Sequence, residues 1–195
     1  MAHHIYHTRG IILGNVPTGE SNRFYKIFTE ELGLVNASAQ SVREGNSKLR
    51  YALQDFSFVT LDLVRGKEVW RIVGAGEWRA IHVVKGDAVR LRLLARFCAL
   101  LTRLIQGEGR EPELFADFVH ATDFLDAEAV PKELVLSFET LVALRVLAHL
   151  GYLDGAGYEM FLNGAVWTKE LLEKFAEVRA QSLSKINEAL RVSHL

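Results

Sequence analysis

GESNRFYKIFTEELGLVNASAQSVREGNSKLRYALQDFSFVTLDLVRGKEVW, residues 19–70, is the stretch whose reading decides the fold. Its apolar residues come in short alternating runs, the period of half-buried strands. From Arg23 to Thr29, Phe24, Lys26 and Phe28 alternate with Arg23, Tyr25 and Ile27. After a turn at Gly33, Leu34 to Gln40 is small and polar enough for a twisted or edge strand. Phe56 to Val64 is dense in the β-branched and aromatic residues that strands favour. Arg65-Gly66-Lys67 then reads as a hairpin turn into Glu68–Gly74.

Upstream, Ile5 to Gly14 supplies one more strand, and Pro17-Thr18-Gly19 turns the chain. Five short strands in the first 78 residues predict a small Greek-key barrel of the OB type. After Trp78 the apolar period becomes helical. Asp87 caps a helix over Ala88–Gln106, ended by Gly107 and Gly109. A shorter helix, Glu113 to Leu125, begins beside Pro112, and Pro131 opens another from Lys132 to Leu150, closed by Gly151. Thr168 caps a last amphipathic helix to Arg191, with Leu172, Phe175, Val178, Leu183, Ile186 and Leu190 as its apolar face. The expected architecture is α+β: a five-stranded OB-fold barrel over residues 1–79, then an α-helical domain over residues 80–195.

Apolar residues make up 49% of the chain, enough for a substantial core. The net charge of −1 argues against a globally basic nucleic-acid binder. The charge is unevenly spread. Residues 1–80 hold ten Lys and Arg against eight Asp and Glu, and residues 81–195 hold thirteen against sixteen. Cys98 is the only cysteine, so neither an intramolecular disulfide nor a multi-cysteine zinc site can form. The N-terminal MAHHIYHTRG has no apolar core of a signal peptide, and the apolar run Leu134–Leu150 is broken by Glu139, Arg145 and His149, so a cytoplasmic protein with a buried helix is expected.

The order of several short motifs resembles the RecO family of bacterial recombination mediators. In the barrel these are Gly19-Glu20 with Arg23, Ile27-Phe28-Thr29 leading to Gly33, Ala39, Arg43 with Ser47-Lys48-Leu49-Arg50, Leu53-Gln54 with Phe56, and Arg65-Gly66. In the helical part they are Pro112-Glu113-Leu114-Phe115, Phe138-Glu139 and Leu150-Gly151-Tyr152. The resemblance covers most of residues 5–155. It implies a protein that binds single- and double-stranded DNA and anneals complementary strands in repair; because no convergent catalytic set is present in the sequence, a non-enzymatic protein without cofactors is expected. The implied partners are RecR and the acidic C-terminal tail of single-stranded DNA-binding protein, and the implied location is the nucleoid in the cytoplasm. Two departures stand out. Many relatives carry a four-cysteine zinc site after the Leu150-Gly151-Tyr152 segment, whereas Leu153–Trp167 has no cysteine, and the chain is short for the family.

Arg43, Lys48 and Arg50 lie in a loop, Ser41–Leu53, whose one acid is Glu44 and whose Gly45 and Asn46 let the backbone turn. They are the first candidates for phosphate contact; the alternative is a solvated loop. Arg23, Lys26, Arg65, Lys67 and Arg71 are secondary candidates, with Arg23 and Lys26 sent to opposite faces by strand alternation. Tyr25, Phe58 and Trp70 could stack on bases or fill the barrel. Phe58, in an apolar strand, is expected in the core, and Trp70, after a basic turn, stands open between the two roles. In the helix Ala88–Gln106, Arg92, Arg96 and Arg103 lie within about 40° of one another beside an apolar arc of Leu93, Phe97, Leu100 and Leu104. That stripe suits an acidic partner segment, DNA, or only the solvent boundary of an amphipathic helix.

Other signals point to no chemistry. His3, His4 and His7 have no cysteine or carboxylate near them in sequence, so no metal site is expected. Gly14–Ser21 (GNVPTGES) echoes a P-loop but puts Glu20 where the phosphate-binding lysine belongs. Cys98 faces the helical core. The leading reading is a DNA-binding and annealing protein; a protein-interaction adaptor with weak DNA binding and an RNA-binding OB module are the alternatives.

Overall fold

Alternating side chains in the first strands produce a closed barrel in the computed structural model, which describes residues 4–44, 47–127, 130–162 and 166–193. Gly45 and Asn46, invoked above for the loop turn, and His3 lie outside the described residues. The chain divides into two compact units: Met1–Ile81 with Ile105–Glu111, and His82–Leu104 with Pro112–Leu195.

The first unit is built from β1 (Ile5–Thr18), β2 (Asn22–Thr29), β3 (Gly33–Ala39), α1 (Leu49–Ala52), β4 (Phe58–Arg65) and β5 (Trp70–Arg79). The strands close in the order β1-β2-β3-β5-β4, all pairs antiparallel except β3 with β5. Ile12, Tyr25, Ile27, Val35, Ala37, Leu61 and Trp70 are among the side chains that fill it.

Five expectations about this unit change, the first being the last strand, expected over Glu68–Gly74 and found as β5 over Trp70–Arg79. β1 does not stop at Gly14; Val16, Pro17 and Thr18 pair with Phe24, Arg23 and Asn22, and the turn falls at Gly19 with φ +62. Proline is tolerated there because β4 pairs with β1 no further than Ile11, so no ladder partner waits for the missing N–H. β3 is not an edge, since Ala37 and Ser38 pair with Trp70 and Arg71 while its other side pairs with β2. Phe56 precedes β4 rather than opening it: its φ is +64 and its N–H donates to Ile12. Finally, the expected loop Ser41–Leu53 contains the short helix α1, whose Leu49 and Ala52 pack on the barrel core.

Residues 105–111 form a strap on the barrel. The Gly107 carbonyl accepts from Leu34 N–H, Arg110 pairs with Glu31 at 2.9 Å, and Glu108 accepts from the Trp70 indole N–H at 3.0 Å while pairing with Arg65. Gly33, with φ +66, lies so close beneath it that a Cβ there would sit 2.1 Å from the Gly109 carbonyl oxygen.

The second unit contains α2 (His82–Gly86), α3 (Ala88–Leu104), α4 (Pro112–Ala127), a 3₁₀ turn (Lys132–Leu134), α5 (Val135–His149), α6 (Glu159–Leu162) and α7 (Lys169–Val192). The Asp87 carboxylate accepts the Val89 and Arg90 backbone N–H groups, which hold it below the usual carboxylate range. Gly151, with φ +72, closes α5 through paired bonds from Gly151 to Ala148 and from Tyr152 to Leu147, the Schellman arrangement. The Thr168 hydroxyl caps α7 by accepting from Leu171 N–H at 3.1 Å. On α7, Leu183 leaves the expected apolar face and is 43% exposed; Ser182 is buried instead, satisfied by the Val178 carbonyl. Cys98 is buried. Among the described residues, no helix is long and apolar enough to cross a membrane.

Candidate nucleic-acid interface

β1, β2 and the β3–β4 connection meet around an open cleft of about 460 Å³ at the barrel mouth. Arg23 lines it because it shares a strand face with the buried Tyr25 and Ile27, but lies nearer the strand end, where that face opens. Arg43 arrives from the connection after β3, fixed by its backbone N–H on Ser21 and its guanidinium on the Gly19 carbonyl at 3.3 Å. Arg50 arrives on α1. Guanidiniums from β2 and from the β3–β4 connection thus line one concavity.

Three residues that sequence reasoning missed organise it. Arg23 donates to the Asn15 side-chain oxygen at 2.6 Å, and the Asn15 amide donates to the Asp55 carboxylate at 2.6 Å. Gln54 completes the polar lining, over a base of Tyr25, Val42 and Leu53. Asp55 is the one acid among three arginines, so the cleft keeps a net positive charge while one arm of Arg23 is held in place. Burial, then Asp55, push the Tyr25 phenol up, against the pull of nearby Arg23. The sequence signal for Asn15 and Asp55 was absent, because forty residues separate them and only β1 pairing brings them together.

The remaining candidates are dispersed. Lys48 is exposed just before α1, outside the cleft lining. Lys26 is half-buried on the strand face opposite Arg23. Lys67 and Arg71 are exposed at the β4–β5 end, and Arg65 is engaged with Glu108 and with the Trp70 ring, 4.7 Å from its centroid. The stacking roles of Trp70 and Tyr25 are corrected, and Phe58 takes the core position expected of it. Trp70 is 4% exposed, with Tyr6 edge-on at 5.1 Å and Arg65 over its ring, so no face remains for a base. Tyr25 is 2% exposed and Phe58 is wholly buried. In the helical unit, Arg92 and Arg103 are exposed, while Arg96 pairs with Glu139. His7 lies 2.6 Å from Asp62, a carboxylate that β1–β4 pairing brings across, and His4 packs edge-on against Tyr6. Among the described residues, no group of three or more His, Cys, Asp and Glu is placed to hold a metal ion.

A closed five-stranded barrel of this strand order, with its mouth lined by arginines, defines an OB-fold protein. Residues 1–76 match the family model described as Recombination protein O N terminal. The chain is also similar to proteins named DNA repair protein RecO. That of Escherichia coli O9:H4 (strain HS) is 30% identical over 152 residues, covering 74% of this chain. Those of Clostridium novyi (strain NT) and Dehalococcoides mccartyi (strain CBDB1) are 28% and 27% identical over 149 and 150 residues, each covering 76% of it. The chain belongs to the RecO family. It spans 57% of the length of each of these three relatives.

Proposed function

We propose that this chain is a DNA repair protein that binds DNA through the barrel cleft and promotes annealing of complementary strands without enzymatic chemistry. The observation that carries the reading is the convergence of Arg23, Arg43 and Arg50 on one concavity. Phosphate neutralisation needs cations at the spacing of a strand, and an arginine offers a planar fork that matches phosphate oxygens. Neutralising two strands lowers their repulsion and lets pairing proceed. The names of the relatives support the repair assignment. RecR and the acidic tail of single-stranded DNA-binding protein are the proposed partners, with exposed Arg92 and Arg103 the proposed contact for the acidic segment and Arg96 drawn off by Glu139. The proposed location is the cytoplasm, on the nucleoid.

Fluorescence anisotropy of a labelled single strand, titrated across salt concentrations, tests the cleft. Changing Arg23, Arg43 and Arg50 to Gln lowers affinity and reduces the salt slope by about 0.7 per lost contact, so by about 2 for all three. Unchanged affinity and slope would remove the cleft from DNA binding. Competition by RNA of the same sequence separates this reading from an RNA-binding module, which would prefer the RNA.

A further inference from the structure

We propose that Tyr51 is a stacking platform for an unpaired nucleobase at the rim of the cleft, which gives the site its grip on single-stranded rather than duplex nucleic acid. This inference rests on the reading of the cleft as a phosphate-binding surface. Tyr51 is 74% exposed, the most exposed large apolar side chain among the described residues. Its position follows from α1. Leu49 and Ala52 pack on the barrel core and Leu53 is buried, which fixes the inward face of the turn. At about 100° per residue, Arg50 falls to one side of that face and into the cleft lining, and Tyr51 falls opposite the core, with Lys48 beyond it.

An aromatic ring held outward between two cations is what a single strand requires: phosphates on the guanidinium and ammonium, a base on the ring. The aromatic side chains first considered for that role, Tyr25, Phe58 and Trp70, are all buried. In a duplex the base faces are already stacked on one another, so the ring has nothing to receive there. The salt dependence belongs to the arginines and the strand selectivity to Tyr51.

The test uses the full chain, a labelled oligonucleotide, its duplex, and an abasic strand of equal length. Tyr51→Ala weakens single-strand binding about 5- to 150-fold, leaves the salt slope unchanged and leaves duplex binding unchanged. Tyr51→Phe and Tyr51→Trp retain binding, because the π-face rather than the hydroxyl does the work. The abasic strand binds wild type and Tyr51→Ala alike. The inference is overturned if Tyr51→Ala binds the single strand as wild type does, or if it loses duplex binding equally. If the arginine variants still lose binding in that case, the cleft reading survives alone; if they do not, both readings fail.

Discussion

Arg145 is the place where one substitution is expected to do the most damage to the helical unit. It lies within the apolar helix α5, is 1% exposed, and carries a full charge. Its guanidinium donates to the Asp117 carboxylate at 2.7 Å and to the Phe161 carbonyl at 2.6 Å, and sits 4.2 Å from the centroid of the Trp167 ring. The Trp167 indole N–H donates to the same Asp117 oxygen at 3.0 Å, and His149 lies 3.4 Å from the other. Arg145→Met retains length and apolar bulk but leaves Asp117 buried without its cation and the Phe161 carbonyl without that donor. Breaking one side of a buried pair costs about 3–5 kcal/mol, against about 5–15 kcal/mol for a whole domain. The double variant Arg145→Met with Asp117→Asn removes the stranded charge, keeps an acceptor for Trp167, and recovers at least about 1 kcal/mol of the loss. Urea unfolding followed by far-ultraviolet circular dichroism reads this unit selectively, because every α-helix except α1 belongs to it. A loss below about 1 kcal/mol for Arg145→Met, or purely additive penalties in the double variant, would refute the idea that the pair is held as a desolvated unit.

Two further outcomes are expected in the barrel. Gly33→Ala places a non-glycine residue at φ +66 and drives its Cβ into the Gly109 carbonyl, so it destabilises by more than about 1–2 kcal/mol, the conformational part alone; denaturant unfolding and a shift in Trp70 fluorescence, from loss of its Glu108 contact, check this. Tyr25 is pushed up chiefly by burial, so the unfolded chain releases its proton first as pH rises; the stability it contributes is complete below the ordinary tyrosine range and is lost through the raised one. Tyr25→Phe therefore flattens the alkaline fall in stability relative to wild type, measured by unfolding across that range.

How much was legible in advance differs between elements for physical reasons. Strands β2 and β4 were readable from local signals, alternation in β2 and a density of β-branched and aromatic residues in β4, neither of which resembles a helical period. Pro17 misplaced the end of β1, because a proline is tolerated in a strand segment that has a partner on one side only, and that depends on how far β4 extends. The helical turn α1 was invisible: four residues are too few for a period, and it forms because Leu49 and Ala52 find the barrel core. Gly151 and Thr168 were correct as helix boundaries since caps are local chemistry, whereas Leu183 was misassigned because a long helix covers its neighbours along only part of one face. Among the aromatics, sequence context put Phe58 in the core correctly, left Trp70 undecided, and passed over Tyr51.

The sequence by itself determined the two kinds of secondary structure, their order, and a family resemblance carried by short motifs, most of them in the barrel. These are properties of neighbouring residues, set by alternation, capping and composition. Tertiary structure alone decided which cations share a surface. Arg23 joins Arg43 and Arg50 while Lys48 and Lys26 do not, Arg65 and Arg96 are taken by Glu108 and Glu139, and Asp55 enters through Asn15. Charge acts through space with a reach of only a few ångströms at such contacts, so its partners are fixed by strand register and closure rather than by distance along the chain.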